Sequence, residues 1–242
     1  MTIADRFAEE VSAAGRRGLD GPELLPERLA RAAAAMLPVT AASLSLLEAG
    51  DKRLPLGSSS AEAACAERLQ FTVGDGPCMT AARLGEPVFA SEEDLGRRWP
   101  QFTEQLIERT PFRAVVAFPL LQALSGQGAM DLYFRRSESI AELDVFEAMA
   151  VGELITATLS DEAVFSDWTA DVGPSWLHAP PARRRARVWQ AMGRLSLQLD
   201  MEGPTALDLM RSYALATGRD IDDVAGDVLT DQLDAEALRG TR

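Results

Sequence analysis

The chain is poor in the residues on which most site chemistry depends. Among its 242 residues there is one histidine, His178, and there are two cysteines, Cys65 and Cys78. Two thiols cannot build the disulfide framework of a small secreted domain, and they fit a reducing, cytoplasmic setting. One histidine and two cysteines without ligand spacing leave no zinc site, so no metal is expected. No apolar run approaches the ~18 residues of a membrane span, and the N-terminus has no signal-peptide pattern. Phosphate-loop, dinucleotide and Ser-His-Asp patterns are missing too, and GDGPC (74–78) lacks the Gly-Lys-Ser/Thr ending that phosphate chemistry needs. No catalytic residue is therefore nominated, an enzyme is not expected, and the cofactor is unknown.

What is present is globular. The chain is 47% hydrophobic and 25% charged, with room for one large or two modest domains. Its formal net charge is -13. That sign opposes indiscriminate attraction to nucleic acid or anionic membranes. A local basic face can still act at short range, because salt screens such fields within about 10 Å.

The most informative stretch runs from Val188 to Thr230. Val188, Ala191, Leu195 and Leu199 form one apolar stripe, and Ala206, Leu209, Met210, Tyr213 and Ala214 a second. Ile221, Val224, Ala225 and Val228 form a third, all with the three-and-four spacing of amphipathic helices. Gly203-Pro204 marks a turn with proline in the first turn of the second helix. Gly218 suits a left-handed C-cap, and Asp220 can cap the third helix. Between residues 183 and 219, Arg183, Arg184, Arg185, Arg187, Arg194, Arg211 and Arg219 stand against Asp200, Glu202 and Asp208. Guanidinium groups suit phosphate, and flat side chains suit splayed RNA bases. The Arg183–Arg187 run equally fits a solvated helix start, and Tyr213 equally fits a core position.

These positions resemble an ANTAR domain, the RNA-binding three-helix module of bacterial antitermination regulators. The matching residues are Val188, Gln190, Ala191, Gly193, Leu195 and Gln198, then Ala206, Leu209, Arg211, Tyr213 and Ala214, then Gly218, Arg219, Val224, Ala225 and Val228. The family often has a basic or small polar residue where Met192 stands, and a serine-like cap in place of Gly203-Pro204. The resemblance implies RNA contacts through Gln190, Arg194, Gln198, Arg211, Tyr213 and Arg219.

The first two-thirds alternates helix and strand. An amphipathic N-terminal helical segment (1–21) precedes a helix over 22–37 and strands at 41–48 and 53–58. A helix over 60–68 and an extended LQFTV (69–73) follow, then GDGPC, whose two glycines permit unusual backbone angles and whose Pro77 opens a helix to Leu84. A strand at 87–90, an acidic loop, a helix near 100–109, buried strands at 114–121 and 129–134, and a long apolar helix from Ile140 to Leu159 complete an antiparallel sheet with flanking helices. This is the α+β class.

Residues 22–160 resemble a GAF domain, of the type joined to ANTAR modules in actinobacterial regulators. VGDGPC (73–78), Gly85-Glu86-Pro87-Val88, Arg98-Trp99-Pro100 with Phe102, the segment 112–120 and Leu132-Tyr133 carry the likeness. GAF domains are small-molecule sensors and dimerisation modules, usually not enzymes. The resemblance points to a ligand cavity near Cys78, Asp94, Trp99 and Arg113. Cys78, in the first turn of a helix, could be a redox-active thiolate or a small buried apolar residue.

Residues 161–181 read as a linker rich in Asp, Gly and Pro, with Trp168 and Trp176 docking it on one domain, and 182–242 hold the ANTAR-like module. The resulting expectation is a cytoplasmic, signal-responsive antitermination regulator that binds nascent RNA hairpins. It would act as a homodimer and have no membrane partner. The alternative is a small-molecule or redox sensor whose tail does not bind RNA.

Overall fold

The computed structural model describes residues 1–48, 52–123, 126–165 and 173–239. Its centre is an antiparallel sheet of β1 (Ala41–Glu48), β2 (Lys52–Ser58), β3 (Val88–Ala90), β4 (Ala114–Ala123) and β5 (Gly126–Phe134), in the order β2-β1-β5-β4-β3. The α+β class expected from the sequence is the class observed.

Strand periodicity sorts the two faces. Ala42, Leu44 and Leu46 of β1 join Val116 and Phe118 of β4 and Met130, Leu132 and Phe134 of β5 in one core. Helices α1 (Ile3–Gly15), α2 (Leu25–Met36) and α7 (Val145–Phe165) cover it. The opposite face carries Ser43, Ser45, Asp131 and Tyr133, and all four are buried. Here α3 (Ala61–Val73), α4 (Pro77–Leu84), α5 (Glu92–Arg98) and α6 (Pro100–Arg109) pack over the sheet. The alternating serines of β1 thus face a covered polar interior and not solvent.

The three-helix tail forms as its stripes require: α8 (Pro180–Leu199), α9 (Gly203–Ala216) and α10 (Ile221–Leu229), followed by a short α11 (Ala235–Arg239). Gly218 has φ +65°, the left-handed conformation expected after the second helix. The tail core gathers Val188, Leu195, Met210, Ile221 and Val224, and it also takes Phe71 from α3. The tail therefore completes its hydrophobic core with a residue of the sheet domain.

Three local expectations are corrected. LQFTV is not extended but continues α3, because Phe71 is drawn into the tail core and Thr72 accepts a hydrogen bond from the Ile221 amide at 3.3 Å. The acidic loop is α5, started by a capping box between Ser91 and Asp94. The long helix begins at Val145, after Asp144 Oδ1 accepts the Phe146 and Glu147 amides, and a 3-10 segment (Ser137–Glu142) precedes it. It continues past the expected end at Leu159, through Asp161 and Glu162, to Phe165. Trp176 is fully buried in the core to which α1, α2 and α7 contribute, as expected of a linker anchor, while Trp168 lies outside the described residues. Among the described residues no helix is long and apolar enough to cross a membrane.

Candidate functional site

The polar face of the sheet leads to a charged network shared by the two modules. Arg53 of β2 is fully buried, with its Nε 3.4 Å from Glu67 of α3 and its Nη2 3.5 Å from Asp131 of β5. Arg185 of α8 is equally buried. Its Nε donates to Asp222 Oδ1 at 3.1 Å, its Nη2 to Glu67 Oε2 at 3.2 Å, and its Nη1 to the Arg53 carbonyl at 3.2 Å. The guanidinium also lies 3.5 Å from the Phe71 ring centroid. Two arginines in a water-poor interior are tolerable only because carboxylates accompany them, and removing one partner of such a set costs about 3–5 kcal/mol.

A ring of hydrogen bonds holds the network to the sheet. Gln70 of α3 donates to Asp131 at 2.9 Å and accepts the Cys78 amide at 3.0 Å. Tyr133 donates to Asp131 at 3.3 Å, and its hydroxyl lies 2.9 Å from Ser43 Oγ. The GDGPC turn allows this approach in two ways. Gly74 takes φ +83° and ends α3. Gly76 is extended and not left-handed; its role is space, since a Cβ there would stand 2.3 Å from Gln70 Oε1.

Burial raises two carboxyls and a thiol at this site. It pushes Asp131 up to about 6, although Arg53 and the hydrogen bonds from Gln70 and Tyr133 pull the other way. Asp222 is likewise raised by burial, against the opposing pull of Arg185. The Cys78 thiol is raised well above the usual range by burial, which outweighs Arg53 and the contact with Ser45 Oγ at 3.3 Å. Of the two readings of Cys78, burial favours the small apolar residue over the thiolate, because desolvation opposes the helix dipole.

A second ion cluster joins the modules at α10. Asp220 receives Arg68 of α3 at 2.8 Å and Arg109 of α6 at 2.7 Å. Burial raises its carboxyl, but the two arginines prevail and hold it below the ordinary value. Asp220 stands at the N-cap position as expected, yet its side chain makes no capping bond, because the arginines take it.

The nominated RNA-contacting residues differ in exposure: Arg194, Arg211, Tyr213 and Arg219 are half-buried. Gln190, Arg194 and Gln198 recur every four residues along α8, with both glutamines exposed. Arg194 is paired with Asp231 and bonds the Leu229 carbonyl at 3.2 Å. Arg211 turns toward α3, donating to the Phe71 carbonyl at 3.2 Å and lying 3.4 Å from Asp208. Arg219 pairs with Asp227 at 2.6 Å, and Tyr213 is partly buried against the tail core. Of the nominated ligand residues, Cys78 is buried in the first turn of α4. Asp94 caps α5 and pairs with Arg97 at 2.7 Å, Trp99 is core, and Arg113 bonds the carbonyls of Thr110 and Phe112.

The sequence names Arg185 only within the arginine run, and it does not single out Arg53, Glu67, Phe71 or Asp222. One signal was available for Arg185: carrying the α8 stripe back by three residues from Val188 lands on it, so it was never on the solvated face.

No family model and no curated protein matches the chain. Among solved structures, the chain is similar to the GAF domain from an Acinetobacter phosphoenolpyruvate-protein phosphotransferase, with a TM-score of 0.43 and 10% identity over 68% of this chain and 96% of that one. A GAF domain of the same kind of enzyme from Coxiella burnetii gives 0.43 and 12% over 67% and 95%. SdiA in complex with octanoyl-rac-glycerol gives 0.38 and 11% over 93% and 87%.

Proposed function

We propose that the chain is a signal-responsive regulator: a GAF-like α+β domain senses a small molecule, and an ANTAR-like tail binds hairpins in nascent RNA. By the family resemblance, binding favours an antiterminator over a terminator and transcription continues. The regulator acts in the cytoplasm and is not an enzyme. Reduction of methionine sulfoxide, known for some GAF proteins, would need a reactive thiol, and burial of Cys78 works against that.

The observation that carries the regulatory half is the burial of Arg185 against Glu67. Tail cations that could meet phosphate are spent on the sheet domain while the tail is docked: Arg185 on Glu67, and Arg211 on the Phe71 carbonyl. Docked and released tails are then two states, and any signal that prefers one shifts the other's population. Pairing of α7 through exposed Phe146, Met149 and Val164 would make a homodimer matched to a two-hairpin RNA.

The test is crosslinking of the protein in its native cells, with sequencing of the recovered RNA. Recurrent paired hairpins ahead of terminators are expected; recovery of no recurrent stem-loop would end the RNA assignment. A second reading, a sensor whose tail docks without touching RNA, is favoured by the engagement of Arg194, Arg211 and Arg219 with aspartates and by the net charge of -13. Salt separates the two, because phosphate contacts must weaken steeply as salt rises.

A further inference from the structure

A pocket of about 470 Å³ opens where α2, β2 and α3 meet the start of α8. None of Cys78, Asp94, Trp99 and Arg113 lines it. Its volume is that of an ordinary small-molecule site. The wall is unusual for so acidic a chain: four arginines, Arg31, Arg68, Arg184 and Arg185, face three carboxylates, Glu27, Glu67 and Asp222.

The carboxylates are committed. Glu27 holds Arg31 at 2.8 Å, and Glu67 and Asp222 hold the buried Arg185. Arg68 is tied to Asp220, outside the lining. Arg184 is the loosest cation: its ion pair with Asp223 spans 3.9 Å between half-exposed side chains. The positive end of the α8 dipole adds to the same corner. Between the charges the walls are mostly apolar, made by Pro55, Ala61, Ala64, Pro180 and Pro181, with Ser58 and Ser60 as the polar exceptions.

We infer that this pocket binds a small organic anion, its acidic group on Arg184 and its apolar body against the proline and alanine walls. The inference deepens the sensing half of the proposed function and rests on it, but not on RNA binding. Because α2, β2 and α3 supply one side and α8 the other, the anion binds the docked tail and not the released one. Ligand binding therefore stabilises docking, by mass action alone. The signal holds the tail in place, and its withdrawal frees the arginines of α8.

Thermal unfolding of the full chain at constant ionic strength tests this, with sodium benzoate as the probe and sodium chloride and inorganic phosphate as comparison arms. Benzoate should raise Tm saturably by at least about 3 °C over chloride. Phosphate, which has no apolar body, should do less. Arg184→Gln, at an exposed position, should remove the benzoate shift without altering the fold, and Ala64→Trp should remove it by filling the pocket. Equal Tm in benzoate and chloride, a shift retained in both variants, or an equal shift with phosphate would overturn the assignment. A failed benzoate arm beside positive hairpin recovery from cells would discard this site and leave the regulator standing.

Discussion

Arg185 and Glu67, 118 residues apart in sequence, meet at 3.2 Å with both side chains shut off from solvent. That contact ties α8 to α3, and Glu67 passes it on to Arg53 at 3.4 Å. One carboxylate thus stands between two buried guanidiniums, one from each module. Glu67→Gln should destabilise the protein by about 3–5 kcal/mol, since both arginines lose compensation. Arg185→Met should cost a similar amount, because it leaves Asp222 and Glu67 buried without that cation. In a double-mutant cycle followed by urea unfolding, the pair should cost clearly less than the two single changes added; simple additivity would show that the two groups do not interact.

Asp131 sets a pH dependence with a definite sign. Its folded value of about 6 lies above the ordinary 3.8, so the native state keeps a proton that the unfolded chain releases. Stability should therefore fall as pH rises from about 4 to about 6 and level off above, by up to about 3 kcal/mol. Asp222, also raised, acts in the same direction, and Asp220, lowered, in the opposite one. The useful quantity is the difference between wild type and Asp131→Asn across pH 4 to 7. A difference that does not change with pH would place Asp131 in a wetter setting than its burial implies.

Much of this architecture was legible because local chemistry and tertiary packing agree. β1 and α4 fall at the residues expected, the first from its two-residue alternation and the second from Pro77 at its start and Gly85 after its end. Disagreement marks the junction. Phe71, Thr72 and Val73 favour strands by residue type, yet packing on the tail makes them helical. A run of arginines looks solvated by composition, and only the stripe phase reveals that Arg185 points inward. The partners of Arg185 lie in distant segments, Glu67 before it and Asp222 after it, so no local pattern could name them.

Phe71→Ala should uncouple the modules. The ring fills the tail core, meets Trp189 edge-on at 5.6 Å and lies beneath Arg185. Large-to-small changes of this kind cost about 3–5 kcal/mol. Here the loss falls on the junction, so a single cooperative unfolding transition should split in two by calorimetry, with the tail melting first. An unsplit transition at lower temperature would mean that the tail core is an integral part of one folding unit.

Thiol chemistry should distinguish the two cysteines. Cys65 is partly accessible and Cys78 is buried, with its thiol pushed upward by desolvation. An aromatic disulfide reagent at neutral pH should modify Cys65 slowly, and Cys78 only at the rate of unfolding. Rapid labelling of Cys78 in the folded protein would restore the redox reading.

The tail arginines should separate RNA contact from docking. Arg219 reaches Asp227 within the tail, whereas Arg211 reaches the Phe71 carbonyl across the junction. If each touches one phosphate in the complex, Arg219→Ala should weaken hairpin binding and reduce the magnitude of the salt slope by about one. Arg211→Ala should reduce the slope equally but weaken binding less, because it also loosens the docked state that competes with RNA. Filter-binding titrations of both variants across a salt series give affinity and slope together. Slopes unchanged from wild type in both would remove these arginines from the phosphate contacts, whatever happens to affinity.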